Sequence, residues 1–226
     1  MNILMVLTSH DELGTTGYRT GFWFEDFVAP YYAFLDAGAE LTLASPRGGS
    51  PAIDPRSFAA DGPVASMERF RADPVARTVL SDTLRLEQID VSDFDGAYFP
   101  GGHGALWDLA TDTHCGLLVK GLLTAGKTIA LVGHSPVVLL NVFDGTGQPL
   151  VEGRNLTCFS NSEESATGLK CALPYSLQDE LIRLGANYSK AKDRAPHVVQ
   201  DGALITGQNA ASALDAAHRM LKTFRR

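Results

Sequence analysis

The chain has 226 residues, of which 45% are hydrophobic and 20% are charged, and its formal net charge is −7. This length suits one α/β domain with a single large core, and the composition is typical of a globular protein. Because no dense block of lysine and arginine offsets the negative charge, we expect no general affinity for nucleic acid or anionic lipid.

The cysteine content and the apolar runs indicate the cellular compartment of the protein. Three cysteines, at positions 115, 158 and 171, are an odd number without metal-ligand spacing, which favours reduced thiols. The first ten residues form a predicted strand rather than a signal peptide, and no apolar run approaches the length that spans a membrane. We therefore expect a cytoplasmic protein with no membrane segment.

Short apolar strands alternate with helical patterns from one end of the chain to the other. The predicted strands are residues 3–7, 41–44, 96–99, 128–132, 198–199 and 203–205, and the predicted helices lie near 25–37, 115–125, 136–142, 177–184 and 210–224. This alternation predicts a flavodoxin-like α/β sandwich, with a mostly parallel central sheet and helices on both faces. Asp201-Gly202 predicts a two-residue hairpin turn, and hence an antiparallel strand at one edge.

Two stretches interrupt the alternation. Residues near 47–75 and 142–175 contain turn-rich sequence, with many prolines, glycines and polar residues. We interpret residues 1–226 as a single domain and these stretches as two small cap-like insertions over one end of the sheet.

The most informative segment is TIALVGHSPVVLLN, residues 128–141. An apolar strand, a tight turn at Gly133-His134 and a helix start at Ser135-Pro136 resemble a nucleophile elbow, which holds one reactive side chain beside amides that can stabilise an oxyanion. The residue at the tip is Gly133, which has no side chain. His134 is the best candidate for a general base, and either Glu163 or Glu164 could orient its imidazole.

A second candidate acid lies at the start of the first long helix. Glu25 stands in an aromatic stretch, and desolvation there would raise its pKa and suit it to proton transfer. The alternative is a first-turn glutamate that interacts only with the helix dipole. The neighbouring Asp26 fits that alternative better.

Further candidates follow the strands, each with an ordinary structural alternative. Gly102 lies in a glycine pair whose amides could hold an anion, or could form only a tight turn. His103 could line the pocket or be a surface group, and Asp108 could belong to the first turn of a helix. Ser135 is a rival nucleophile, although an N-cap role explains it more simply.

Taken together, these segments resemble the ThiJ/PfpI superfamily, specifically its branch of glutathione-independent glyoxalases (glyoxalase III) and heat-shock chaperones. The resemblance runs almost from end to end. The segments that carry it are 16–18 (TGY), 30–32 (PYY), 44–49 (ASPRGG), 54–57 (DPRS), 99–104 (FPGGHG) with Asp108, 131–136 (LVGHSP), 157–164 (TCFSNSEE) and 204–209 (LITGQN).

The family elbow reads Val-Cys-His-Gly-Pro, so the resemblance implies that Gly133 replaces the nucleophilic cysteine, whether naturally or by engineering. By position, Glu25 matches the proton-shuttling glutamate, His134 the histidine after the nucleophile, and Glu164 its acid partner. The amides of Gly102 and His134 match the oxyanion site. The resemblance further implies substrate or oxyanion contacts for the residues Tyr18, Gly102, His103, Asp108 and Ser135.

Family members of this branch convert methylglyoxal to lactate without glutathione, metal or another cofactor, and the resemblance implies a homodimer that takes a small aldehyde. In this chain we expect the cysteine-dependent activity to be lost or residual. Two alternatives remain open. One is a hydrolase or hydratase that uses Ser135 or a water activated by Glu25, and the other is a non-enzymatic holdase chaperone.

Overall fold

A seven-stranded sheet lies at the centre of the computed structural model, which describes residues 1–58 and 64–224. Its strands, in spatial order, are β3 (Leu84–Arg85), β2 (Glu40–Ser45), β1 (Asn2–Val6), β4 (Gly96–Phe99), β5 (Thr128–Val132), β9 (Leu204–Gly207) and β8 (Val198–Asp201). All neighbours pair in parallel except β8 and β9. The predicted parallel sheet and its antiparallel edge are therefore confirmed.

The hairpin turn between β8 and β9 lies one residue later than the sequence predicted. Asp201 pairs with Leu204, so the loop is Gly202-Ala203 rather than Asp201-Gly202. Gly202 has φ +59°, which is the backbone conformation that favours glycine at the first central position of a hairpin turn. The side chain of Asp201 is engaged elsewhere, since its carboxylate accepts the backbone amide of Asn155.

Seven helices surround the sheet within the described part of the chain. They are α1 (Phe24–Asp36), α2 (Val64–Ala72), α3 (Pro74–Ser81), α4 (Thr113–Thr124), α5 (Asn161–Thr167), α6 (Leu177–Arg183) and α7 (Ala213–Thr223). Helices α1, α2, α3 and α7 contribute to the core on one face of the sheet, and α4 and α6 to the core on the other.

The apolar strands explain why both faces are covered. Successive side chains of a strand point to opposite faces. In β1, Ile3 and Met5 therefore join one core, whereas Leu4 and Val6 join the other. All four side chains are buried, as expected for a strand in a parallel sheet packed on both sides.

The insertions contain structure that the sequence did not predict. Helix α2 lies within the first and helix α3 begins at its end, and residues 59–63 of the predicted 47–75 insertion lie outside the described residues. The second contains β6 (Asn155–Leu156), which pairs in parallel with β7 (Asn187–Tyr188), and helix α5. None of the described helices is both long and apolar enough to cross a bilayer.

Candidate active site

Gly133 lies at the carboxyl end of β5, in the turn that the sequence identified as an elbow. Its φ is +62°, a conformation that favours glycine. Apart from its chain neighbours, only two described atoms lie within 4 Å of the position where a Cβ would stand, the Oδ2 of Asp26 at 3.3 Å and the Cα of Gly101 at 3.4 Å. A side chain at residue 133 would therefore lie directly against the Asp26 carboxyl.

The acid beside Gly133 is Asp26, and not Glu25 as the sequence led us to expect. Consecutive residues of a helix point about 100° apart, so only one of the two side chains can face the sheet. In α1 this is Asp26, which is fully buried, whereas Glu25 is partly exposed. Asp26 is held there because its Oδ2 accepts the Gly101 amide at 3.1 Å and its carbonyl accepts the Tyr98 hydroxyl at 2.9 Å.

Its surroundings shift the buried carboxyl of Asp26 towards its neutral form. Burial raises its pKa well above the ordinary value, the nearby charge of Glu25 raises it further, and the single hydrogen bond from Gly101 only partly offsets these effects. Its second oxygen, Oδ1, is buried and has no hydrogen-bond partner among the described residues. Asp26 therefore combines a raised pKa with one buried oxygen that makes no hydrogen bond to the described residues.

Two glycines after β4 allow this close approach. A Cβ on Gly101 would overlap the Asp26 carboxyl and lie 2.8 Å from the Val132 carbonyl oxygen. Gly102 has φ +125°, and a Cβ there would stand 2.5 Å from the Cα of Phe22. The glycine pair is therefore required by packing, which the sequence alone could not distinguish from an ordinary tight turn.

The expected oxyanion amides occur at the same edge of the sheet. Gly102 follows β4 and His134 follows β5, and these two strands are neighbours. Within the described part of the chain, neither backbone amide donates a hydrogen bond. Two free amides at adjacent strand ends can donate hydrogen bonds to an anionic or carbonyl oxygen of a ligand.

His134 shares a carboxylate with His103. The Nε2 atom of His134 lies 2.6 Å from Oε2 of Glu164, and the Nε2 of His103 lies 2.9 Å from Oε1 of the same residue. The two imidazoles pack at a centroid distance of 4.3 Å, and His134 also packs on Phe159 at 4.6 Å. His103 is thus buried in the site rather than lying at the surface.

The charges of this cluster determine its tautomers. Burial raises the pKa of Glu164, but the bonds from His103 and His134 outweigh burial and hold that pKa well below its ordinary value. An ionised carboxylate only accepts hydrogen bonds, so both imidazoles carry a proton on Nε2. Burial and the neighbouring His134 lower the pKa of His103 to about 4. The contact of His134 with Glu164 is made by Nε2, so Nδ1 lies on the other side of the ring from the carboxylate.

The same three side chains could in principle hold a metal, because their donor atoms lie within 4.8 Å of one another. Arg56 argues against this use. Its guanidinium lies 3.2 Å from Nδ1 of His103 and pairs with the buried Asp54. A metal on Nε2 would place the proton on Nδ1, opposite a group that can only donate. The contact with Arg56 therefore favours hydrogen bonds from both imidazoles to Glu164 over a bound metal.

Glu163 has a separate, structural role. It forms the capping box of α5 with Ser160, and its carboxylate also accepts Gln208 at 2.8 Å and Asn209 at 2.7 Å. These contacts join α5 to the segment after β9. Of the two candidate glutamates, it is Glu164 that contacts His134.

Ser135 does not have the environment of a nucleophile or of an N-cap. Its hydroxyl is fully buried and lies 2.8 Å from the carbonyl oxygens of Phe99 and Val132. It makes no capping hydrogen bond to the 3₁₀ turn Ser135–Leu139, which replaces the helix expected at 136–142. The hydroxyl instead ties the elbow to the ends of β4 and β5.

Tyr18 and Asp108 were expected near the substrate, but the structure does not bring them to Gly133. Tyr18 is 68% exposed in the loop after β1. The Asp108 carboxylate accepts the Thr8 hydroxyl and the Ser9 amide, each at 2.7 Å. It therefore fixes the loop after β1, although burial raises its pKa.

A pocket of about 130 Å³ opens beside the imidazole of His134. Glu164 and Phe159 line it together with residues of the second insertion, including Lys170 and Tyr175. The insertion therefore covers the side of the elbow on which His134 meets its carboxylate.

Comparison with known proteins identifies relatives of this arrangement. Residues 20–223 match the model of the DJ-1/PfpI family. The chain is 29% identical over 216 residues to the glutathione-independent glyoxalase hsp3101 of Schizosaccharomyces pombe, covering 91% of this chain and 88% of the relative. Its fold is similar to the Rapid Encystment Protein 24 kDa of Francisella tularensis (33% identity, TM-score 0.93, 98% of each chain). It is also similar to glyoxalase III of Candida albicans (25% identity, TM-score 0.88, 98% of this chain and 96% of that chain).

The raised pKa of Asp26 predicts that stability depends on pH. Above the ordinary pKa of aspartate the unfolded chain releases the proton while the native state keeps it, so the native state loses up to about 1.4 kcal/mol per pH unit until the folded pKa is reached. Asp26→Asn should therefore become more stable relative to wild type as the pH rises from about 4. Urea unfolding at several pH values measures this difference, and Glu25→Gln is the matched control, with a smaller pH dependence expected. A constant difference for Asp26→Asn would contradict the buried neutral acid.

The histidine cluster predicts an unusual titration. Nitrogen NMR should show His103 neutral at neutral pH, with its proton on Nε2 and a midpoint near 4. Arg56→Met should raise this midpoint, because the guanidinium disfavours the imidazolium. A wild-type midpoint near the ordinary value of 6.5 would show that the ring does not have the buried, carboxylate-bound environment described above.

Proposed function

Since the chain belongs to the DJ-1/PfpI family, we propose that it is a glyoxalase III-type protein that binds a small α-oxoaldehyde, such as methylglyoxal, beside Gly133. The observation that carries the proposal is the 3.3 Å between the Asp26 carboxyl and the position of a Cβ on Gly133. A cysteine at this tip would place its sulfur beside a buried proton donor. The names of the glyoxalase relatives support the same reaction class.

The proposed roles follow from the groups around the tip. The reaction moves a hydrogen from the aldehyde carbon of methylglyoxal to the neighbouring carbonyl carbon, and Asp26 is positioned to carry the proton. The free amides of Gly102 and His134 would stabilise the oxygen on which charge develops. His134, oriented by Glu164, would activate the water that releases lactate.

Gly133 removes the covalent step from this scheme. Without a thiol, no hemithioacetal can form on the chain itself, so we propose that the thiol-dependent activity on methylglyoxal alone is absent or residual. The serine alternative loses support because the Ser135 hydroxyl is engaged by strand carbonyls, and a water-based route would use Asp26 in place of Glu25. Chaperone activity and the homodimer stay predictions from the resemblance, and a cytoplasmic location stays a prediction from the cysteine content.

Gly133→Cys should create methylglyoxal consumption that needs no glutathione, measured as lactate formed. The new side chain costs about 1–2 kcal/mol of stability, because residue 133 keeps a positive φ, so a thermal melt should accompany the assay. Within this variant, a further Asp26→Asn change should lower kcat about 100-fold or more.

Glu25→Gln in the Gly133→Cys background is the matched control, and we expect it to retain most of the activity. Loss of activity with Glu25→Gln but not with Asp26→Asn would show that Glu25, and not Asp26, carries the proton. A folded Gly133→Cys protein with a titratable thiol and no lactate production would overturn the proposed function.

A further inference from the structure

Helix α5 carries the carboxylate that contacts His134, and neither hydrophobic core anchors this helix. None of its seven residues, NSEESAT, belongs to either core, and its two buried side chains are the carboxylates of Glu163 and Glu164. A helix of this length is too short to be stable on its own in water. Polar contacts must therefore hold α5, and with it the Glu164 carboxylate, beside the elbow.

The buried anchor of α5 is the Glu163 carboxylate, which accepts five hydrogen bonds. Its Oε2 accepts the amide and the hydroxyl of Ser160, at 3.2 and 2.7 Å, and the Gln208 side chain at 2.8 Å. Its Oε1 accepts the Asn209 side chain at 2.7 Å and the backbone amide of Arg194 at 2.9 Å. Burial raises the pKa of Glu163, but these bonds outweigh burial and lower that pKa, which favours the ionised carboxylate.

The segment that Glu163 contacts is itself bonded to the elbow. It directly follows β9, whose last residue, Gly207, accepts the amide of Gly133 at 2.9 Å. Successive residues of a helix point about 100° apart, so Glu164 points in another direction, where it contacts His134 at 2.6 Å. The elbow, the end of β9 and α5 therefore form a closed ring of contacts, and Glu163 sets where α5 lies in this ring.

Arg194 donates to Glu163 from a strained backbone conformation. Its φ is +64°, and within the described part of the chain it is the only residue other than glycine with a positive φ. This conformation costs a residue with a side chain about 1–2 kcal/mol. The side chain is exposed, whereas the amide donates to Oε1 of Glu163. Strain that a fold retains at one residue indicates a function, and here the strained residue bonds to the anchor of α5.

We propose that Glu163 is a positioning residue for His134. Together with the Arg194 amide, it holds α5 against the segment after β9 and so places the Glu164 carboxylate at Nε2 of the imidazole. This role rests on the proposed function only because His134 is the group that would activate water there. The orientation of the ring does not require any activity, so it can be measured separately.

Nitrogen NMR of the whole protein tests which ring nitrogen of His134 carries the proton. Wild type should show the proton on Nε2 at neutral pH. Glu163→Gln should show both tautomers in exchange, because its carboxamide nitrogen would face hydrogen-bond donors and release α5. The His103 signal should change less, since Arg56 also fixes its tautomer. Asp201→Asn is the matched control: Asp201 joins β6 of the same insertion to β8, and its replacement should leave the His134 signal unchanged.

Two substitutions of Arg194 test the backbone bond, and they decide the question if Glu163→Gln does not fold. Proline has no amide hydrogen and fixes φ at about −65°, so Arg194→Pro should also give both His134 tautomers. Glycine keeps the amide and adopts a positive φ without strain. Arg194→Gly should therefore retain the wild-type signal without a lower melting temperature.

Activity provides a second readout. In the Gly133→Cys background, Glu163→Gln should lower kcat about 10- to 100-fold with little change in KM, because a misplaced base slows the chemical step. A folded but inactive Gly133→Cys protein would overturn the proposed function alone, and the NMR spectra would still decide the role of Glu163. A wild-type His134 signal in folded Glu163→Gln and Arg194→Pro would overturn that role, as would the same tautomer mixture in Asp201→Asn.

Discussion

The contact between one buried carboxyl and two glycines fixes the geometry of this site. Asp26 can lie against Gly133 because Gly101 has no side chain, and a Cβ there would overlap the same carboxyl. The Gly101 amide bonds to Asp26, and the Gly101 carbonyl accepts the amide of Trp23 at 2.8 Å, just before α1 begins. Backbone contacts therefore join α1 to the loop after β4, and the position of the acid does not depend on a flexible side chain.

The pKa values of two carboxyls near the elbow shift in opposite directions, and the number of their hydrogen-bond donors explains why. Asp26 receives one amide, and burial keeps its pKa high. Glu164 receives the imidazoles of both His103 and His134, and these bonds keep its pKa low. When the environments of two carboxyls shift their pKa values apart, one carboxyl can act as the acid and the other as the base of an enzyme site. Here the carboxyl with the raised pKa lies at the tip, and the carboxyl with the lowered pKa contacts the imidazole beside it.

The sequence predicts the fold more fully than the site, for reasons that particular residues illustrate. Apolar runs such as 128–132 identify parallel strands because both faces are buried. Glu25 and Asp26 differ by one helical position, and the sequence does not give the rotation of α1 that buries Asp26. A lone histidine at 103 gives no sign of the carboxylate that it shares with His134. The Ser160–Glu163 capping box was a readable signal for α5, and it would also have assigned Glu163 to the helix end.

Gly133 removes the nucleophile from the elbow, but the contacts that hold Asp26 against the elbow do not depend on a side chain at residue 133. A nucleophile at a positive φ stores strain that the surrounding structure must offset, and glycine removes this strain together with the reactive atom. The cost of burying Asp26 with its Oδ1 unpaired remains, since its burial is set by α1 and Gly101. Replacing a buried polar group with an apolar one of similar shape is often neutral or stabilising. The folded state therefore carries an unfavourable contribution at Asp26 that an apolar side chain of similar shape would remove.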